Sequence, residues 1–207
     1  MIEVYYWLTD NGRKALMAIE ESGLPHKKMP VNLTKREQFS PEYLKISPGH
    51  KIPALVDDDG PGGTRIALCE SGAILKYLAE KAGGALYPSA PAARAKVDHW
   101  FFYGSATFTP IAQQYGFFMH RSPEDVPAAK KHFGELMRDM FGVLDKHLAS
   151  NQYLAGDAYS VADISCYPDT HLHGKEGIGL GDYPNVNRWH DAVAARPAVQ
   201  RAWAING

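Results

Sequence analysis

The sequence predicts an α/β domain over residues 1–82 followed by an all-helical domain over 92–207, joined by a linker at 83–91. Two observations carry this. Residues 1–82 alternate β-branched or aromatic runs with helical periodicity, whereas residues 91–205 carry helical signals alone. Between them, Gly83-Gly84 through Ser89-Ala90-Pro91 is a compositional break, with Pro91 suited to the first turn of a helix. A chain of 207 residues with 45% hydrophobic content is ample for two modest cores.

Ile2 to Trp7 reads as the first strand, and Asn11 to Glu21 as a helix closed by Gly23. A second strand is expected near Lys28 to Asn32, a helical turn at Pro41 to Ile46, a third strand at Ala54 to Val56 and a fourth at Arg65 to Leu68. Pro53 cannot donate to a strand ladder, so it opens the third strand, leaving Lys51 and Ile52 just outside. Asp57 to Gly63 reads as a solvated turn; its three aspartates lack the spacing and closing glutamate of an EF-hand. In Gly72 to Glu80, the stripe Ala73, Ile74, Tyr77 and Leu78 makes a helix whose first turn or cap is Glu70-Ser71.

In the second half, residues 92–118 form a long helix kinked or interrupted at Pro110. Ser122-Pro123-Glu124-Asp125 supplies an N-cap, a proline at N1 and an acid at N3 for a helix whose core stripe includes Phe133, Met137, Phe141 and Leu144. Ser160 and Asp163 form a capping-box-like start with a structural role, and Asn185 to Ala195 and Ala198 to Trp203 are the last helices. Most of the aromatics between Trp100 and Phe118 are expected in the core or on a dimer surface.

Composition excludes several functions. Twenty-two basic and twenty-three acidic residues leave a net charge of -1 without a basic run, so neither nucleic acid nor an anionic membrane is supported as a partner. No apolar run reaches membrane-spanning length, and a cytoplasmic protein is expected. Cys69 and Cys166 form no C-x-x-C or metal-ligand set and are read as reduced, structural thiols; His171-Leu172-His173 lacks a third ligand, so no metal is expected.

The chemistry gathers at helix starts. Backbone donors and the positive dipole end at Glu70-Ser71 make a carboxylate-binding corner, with Glu70 able to accept from an ammonium and Ser71 to donate. The turn Thr9-Asp10-Asn11-Gly12-Arg13-Lys14 enters the first helix, where the dipole and nearby donors favour a thiolate and lower its pKa from about 8.5.

Lys51-Ile52-Pro53 and Glu70-Ser71, at this separation, resemble the glutathione-binding half of the cytosolic glutathione transferases. The resemblance covers essentially the whole chain. It implies a thioredoxin-like first domain with Pro53 in the cis form, the backbone of Ile52 pairing with the cysteinyl part of glutathione, and Glu70-Ser71 holding its γ-glutamyl end. Thr9-x-Asn11-Gly12-x-Lys14, Gln38-Phe39, Ser47-Pro48 and Glu70 to Leu75 look like the bacterial nu class, whose members reduce disulfides with glutathione and hold oxidised glutathione or two glutathiones across a dimer. By that likeness Thr9 and Asn11 donate to the thiolate as the catalytic pair, and Gln38, Lys51, Ile52, Pro53, Glu70 and Ser71 bind glutathione. The class places an arginine from the long helix of the second domain near the ligand. Lys130-Lys131-His132-Phe133 offers lysines and a histidine there instead, and His132 is the glutathione-binding residue expected at that place. The resemblance also implies a homodimer with glutathione as co-substrate, acting on a small disulfide. Conjugation to a carbon electrophile uses the same thiolate, with Tyr6 the donor to test. A non-catalytic glutathione-binding or interaction module is the alternative of another class.

Overall fold

The structure, a computed structural model, describes residues 1–171 and 177–206. Its contacts group into two compact units: Met1–Tyr87 together with the segment from Ala195 onward, and Pro88–Ala194.

In the first unit, β1 (Ile2–Tyr6), β2 (His26–Pro30), β3 (Ala54–Asp57) and β4 (Ile66–Cys69) form one sheet in the order β2-β1-β3-β4. β1 and β2 run parallel, with Ile2 opposite His26. β1–β3 and β3–β4 are antiparallel, with Ile2 opposite Asp57 and Ala54 opposite Cys69. Parallel neighbours require a crossover, supplied here by helix α1 (Asp10–Ser22). Alternation buries Ile2, Val4 and Tyr6 on one face of β1, while every residue of β3, the inner antiparallel strand, is buried. Leu16, Met17 and Ile19 of α1 and Ile74, Leu75 and Leu78 of α3 (Ser71–Lys81) complete this core. The short helix α2 (Pro41–Leu44) is capped by Ser40 and buries Tyr43 against Val31 and Ala54.

Gly23 closes α1 at φ 64°, in the left-handed conformation that favours glycine. Asp57, expected in a solvated turn, instead ends β3 in the interior. It accepts from Tyr77 Oη at 2.6 Å and pairs with Lys81 at 2.8 Å. Burial pushes its carboxyl up, but hydrogen bonds from Lys81, Tyr77 and the Asp59 N–H outweigh this and hold its pKa at about 2.

The second unit holds α4 (Pro91–Phe102), α5 (Thr109–His120), α6 (Pro127–Leu148), α7 (Val161–His171) and α8 (Pro184–Ala194). α7 is buried from Val161 to Thr170 and is the centre of this core. The interruption expected at Pro110 falls just upstream, where Tyr103–Phe108 widen into a π-helical turn. There Gly104 lies so close to α7 that a Cβ would sit 2.5 Å from Ser165 Oγ. Ser122 does not cap α6, which begins at Pro127. Its hydroxyl instead closes a local turn, accepting from the Glu124 N–H and donating to the Glu124 carbonyl. Ser160 and Asp163 do form the expected box, Asp163 accepting from the Ser160 N–H at 2.9 Å. Asp163 also takes bonds from the Leu154 N–H and Trp189 Nε1, and burial pushes its carboxyl up to about 6 against those donors.

Helix α9 (Pro197–Trp203), expected within the second domain, belongs to the first unit, where its segment packs on α1. The first unit also extends past residue 82 to Tyr87, whose buried ring lies 4.6 Å beneath Lys76 Nζ.

Candidate active site

Thr9 is the N-cap of α1, and its extended backbone (φ -116°, ψ 166°) aims the side chain back over the first turn. Its Oγ1 accepts from the Gly12 N–H at 3.2 Å, which leaves the hydroxyl proton to be donated elsewhere. Gly12 is required at this turn, since a Cβ would lie 1.9 Å from the Trp7 carbonyl oxygen. Asn11, in the same turn, accepts at Oδ1 from the Ser71 hydroxyl across 3.4 Å. Its Nδ2 group therefore keeps two donors.

Ser71 opens α3. Glu70 before it is the N-cap, held at φ 72° and ψ 115°, a conformation costly for any residue with a Cβ. Its exposed carboxylate makes no capping bond to α3, so the acid stands beside the N–H groups of that helix's first turn without occupying them.

A third segment comes from the approach to β3. The carbonyl of Lys51 accepts from Tyr43 Oη at 2.6 Å and Ser47 Oγ at 2.9 Å, which anchors the residues leading into the cis Ile52–Pro53 bond. Ile52 packs against the cluster of Val31, Tyr43 and Ala54. Gln38 sits in a single turn, Glu37–Phe39, and its Oε1 is buried without a hydrogen-bond partner among the described residues.

Thr9, Asn11, Gln38, Lys51, Ile52, Pro53, Glu70 and Ser71 thus all lie in the first unit, and a direct hydrogen bond joins the Thr9–Asn11 turn to the Glu70–Ser71 corner. His132 lies in the second unit, exposed on α6 with its ring edge-on to Phe133 at 5.2 Å. Tyr6 is buried on the core face of β1, whereas Tyr5, on the other face, donates to Glu3; burial and that bond push its hydroxyl up to about 12. Cys69 donates to the Ile46 carbonyl, and neither Cys69 nor Cys166 is joined in a disulfide among the described residues. His171 Nδ1 lies 3.1 Å from His190 Nε2, while His173 falls outside the described residues. Among the described residues no group of three or more His, Cys, Asp or Glu could hold a metal ion, and no helix is long and apolar enough to cross a membrane.

The anchoring of Lys51 by Tyr43 and Ser47, and the tie between Ser71 and Asn11, are not evident in the sequence. The latter spans sixty residues of chain and leaves no local pattern.

Two helix N-termini, a hydroxyl and an amide with free donors, and an acid beside unoccupied N–H groups suit a ligand carrying a thiolate and an amino-acid end. Residues 5–86 match the glutathione S-transferase N-terminal domain and residues 108–197 the corresponding C-terminal domain. The chain belongs to the glutathione S-transferase family.

Within it, the chain is 38% identical over 203 residues to the disulfide-bond oxidoreductase YfcG of Escherichia coli K12, covering 98% of this chain and 94% of that one. It is 33% identical to YghU, a second disulfide-bond oxidoreductase of that bacterium, over 99% of this chain and 75% of the relative. Among solved structures, a family member from Pseudomonas fluorescens with two glutathiones bound superposes with a TM-score of 0.94 at 35% identity, covering 99% of this chain and 93% of that one. A glutathione transferase from Pseudomonas putida with one glutathione disulfide per subunit gives 0.93 at 33% identity, over 100% and 92%.

Proposed function

We propose that this protein is a glutathione-dependent disulfide reductase that activates glutathione at the Thr9–Asn11 turn and uses no cysteine of its own. The observation that carries the reading is the state of that turn. The acceptors of both side chains are engaged, Thr9 Oγ1 by the Gly12 N–H and Asn11 Oδ1 by Ser71, so each presents a donor where a thiolate would lie. The α1 dipole adds to the effect.

Glu70 would accept from the α-ammonium of the γ-glutamyl end, and the Ser71 N–H and hydroxyl would donate to its carboxylate. Ile52 would pair through its backbone with the cysteinyl unit, in the segment anchored at Lys51. The orphaned Oε1 of Gln38 supports a place for the glycyl end, where its carboxamide would accept from the glycyl N–H and donate to the carboxylate. His132 would donate a ring N–H to a carboxylate of the ligand.

In the reaction, the bound thiolate attacks one sulfur of the disulfide. The S–S bond breaks, a mixed disulfide with glutathione forms, and the other sulfur leaves as a thiolate that takes a proton. A second glutathione thiolate then attacks the glutathione sulfur of the mixed disulfide, releasing oxidised glutathione and the second thiol product. Two glutathiones are oxidised for each disulfide reduced. That YfcG and YghU are disulfide-bond oxidoreductases, and that the Pseudomonas structures hold glutathione or its disulfide, supports this assignment. A two-fold homodimer in a reducing cytoplasm, as the family likeness implies, completes the reading.

The test compares glutathione-dependent reduction of a small hydroxyalkyl disulfide with conjugation of a chlorodinitrobenzene-type electrophile, for wild type, Thr9→Ala, Asn11→Ala and Tyr6→Phe. Disulfide reduction lost with Thr9 or Asn11 and retained in Tyr6→Phe is expected. Dominant conjugation that depends on Tyr6 would overturn the assignment.

A further inference from the structure

The segment from Ala195 onward turns back onto α1 and is fastened to it at two places. Toward the C-terminal end of α1, Arg196 forms a two-pronged pair with Glu21, at 2.6 and 2.8 Å, and Arg201 Nε donates to Glu20 at 2.6 Å. Toward the N-terminal end, Arg13 donates through Nη1 to the Ala202 carbonyl and through Nη2 to the Ile205 carbonyl at 3.1 Å, with its guanidinium 5.5 Å from the centre of the Trp203 ring. Arg13 thereby satisfies carbonyls at and just beyond the end of α9, where the helix has no partners of its own for them and its dipole is negative.

The same residue closes the first turn of α1, its backbone N–H donating to the Thr9 carbonyl at 2.8 Å. First turns of helices fray readily because few hydrogen bonds hold them. Here one residue both completes the turn and carries a side chain tied to a segment 189 residues away. We propose that Arg13 is a positioning residue: by binding the carbonyls that end α9, it holds the Thr9–Asn11 turn in its thiolate-binding geometry, which makes the chain's terminal segment a working part of the site. This rests on the reading given above for Thr9 and Asn11. The pair Arg196–Glu21 has a different task. Glu21 lies twelve residues beyond Thr9, about 18 Å along the helix, so that pair fastens the segment without bearing on the turn.

A purely structural Arg13 would change stability alone, and two measurements on Arg13→Met, Arg196→Met and wild type separate the possibilities. The first, on the ligand-free protein, is amide hydrogen exchange at Gly12 and Arg13. Arg13→Met is expected to accelerate it about tenfold while Arg196→Met leaves it near wild type. The second is the pKa of the bound glutathione thiol at saturation. It is expected to rise by about half a unit or more in Arg13→Met alone, with glutathione affinity within about threefold of wild type. Unchanged exchange in Arg13→Met, equal acceleration in both variants, or faster exchange with an unmoved thiol pKa would each overturn the proposal. If wild type binds no glutathione, the functional reading falls, whereas the exchange comparison still decides whether Arg13 holds the turn.

Discussion

The Ser71 hydroxyl donates to the Asn11 side-chain oxygen across 3.4 Å, joining the first turn of α3 to the first turn of α1. The bond decides which end of the Asn11 amide is free. With Oδ1 engaged, the NH₂ group remains as the donor end, which the proposed contact with a thiolate requires.

Replacing Asn11 tests this directly. Asn11→Ala is expected to lower kcat/KM for disulfide reduction by about ten- to a hundredfold, the range for losing one oriented donor to a developing or bound anion. Asn11→Asp should be worse, since it sets a negative charge against the thiolate. Steady-state kinetics with the disulfide varied at saturating glutathione would show it, and an Asn11→Asp enzyme as active as wild type would contradict the assignment.

Gly12 is expected to be intolerant. A Cβ there would lie 1.9 Å from the Trp7 carbonyl oxygen and within 3.2 Å of the Trp7 carbonyl carbon and nitrogen, all backbone, with no flexible side chain to yield. Gly12→Ala should cost about 2 kcal/mol or more and displace Thr9, readable as a lower denaturant midpoint together with lost activity.

Glu70 combines strain with a proposed ligand contact. Glu70→Gly relieves a φ of 72° worth about 1–3 kcal/mol, less about 0.5–1 kcal/mol for glycine's freedom when unfolded. The expected variant is therefore as stable as wild type or more so, yet binds glutathione poorly. Calorimetric melting beside ligand titration checks both halves, and a destabilised Glu70→Gly would refute the strain argument.

Asp57 makes the first unit sensitive to acid. Its folded-state pKa of about 2 lies below the ordinary carboxylate value, so its contribution is present in full above about pH 4 and is lost as pH falls toward 2. With little solvent at Asp57 to screen it, that contribution is about 2 kcal/mol. Asp57→Asn should melt lower than wild type at pH 7, with the gap closing as pH drops from 4 to 2. A gap independent of pH would show that the charge is not what matters.

Asp163 acts with the opposite sign. Its carboxyl is raised to about 6, so the folded chain holds this proton more tightly than the unfolded one, and its own contribution to stability falls as pH rises from about 4 to 6. Its role as an acceptor still dominates. Asp163→Ala strands the Trp189 Nε1–H and the Leu154 N–H in a fully buried site, an expected loss of about 3 kcal/mol or more in urea unfolding.

What the sequence disclosed and what it concealed divide by the range of the interaction. The strands, α1 with its Gly23 stop, α3 with Glu70-Ser71 at its start and the Ser160–Asp163 box were legible to within a few residues, because propensity, periodicity and capping act over one or two turns. Ser122-Pro123 misled because a hydroxyl that can cap a helix can equally close its own turn. Asp57 was misplaced because its partners Tyr77 and Lys81 lie on another element, and the return of α9 to α1 was hidden because Arg13, Glu20 and Glu21 find their partners at the far end of the chain. The candidate site residues were named from motifs alone, whereas the tie between Asn11 and Ser71 required the fold.

The most direct test of the central claim is to follow the thiolate absorbance of bound glutathione against pH in wild type, Thr9→Ala and Asn11→Ala. A bound thiol that ionises well below the free value of about 8.5 in wild type, and moves back toward it in either variant, is the expected result. A bound thiol that titrates as it does in free solution, or is unmoved by both substitutions, would contradict the claim that this turn activates the sulfur.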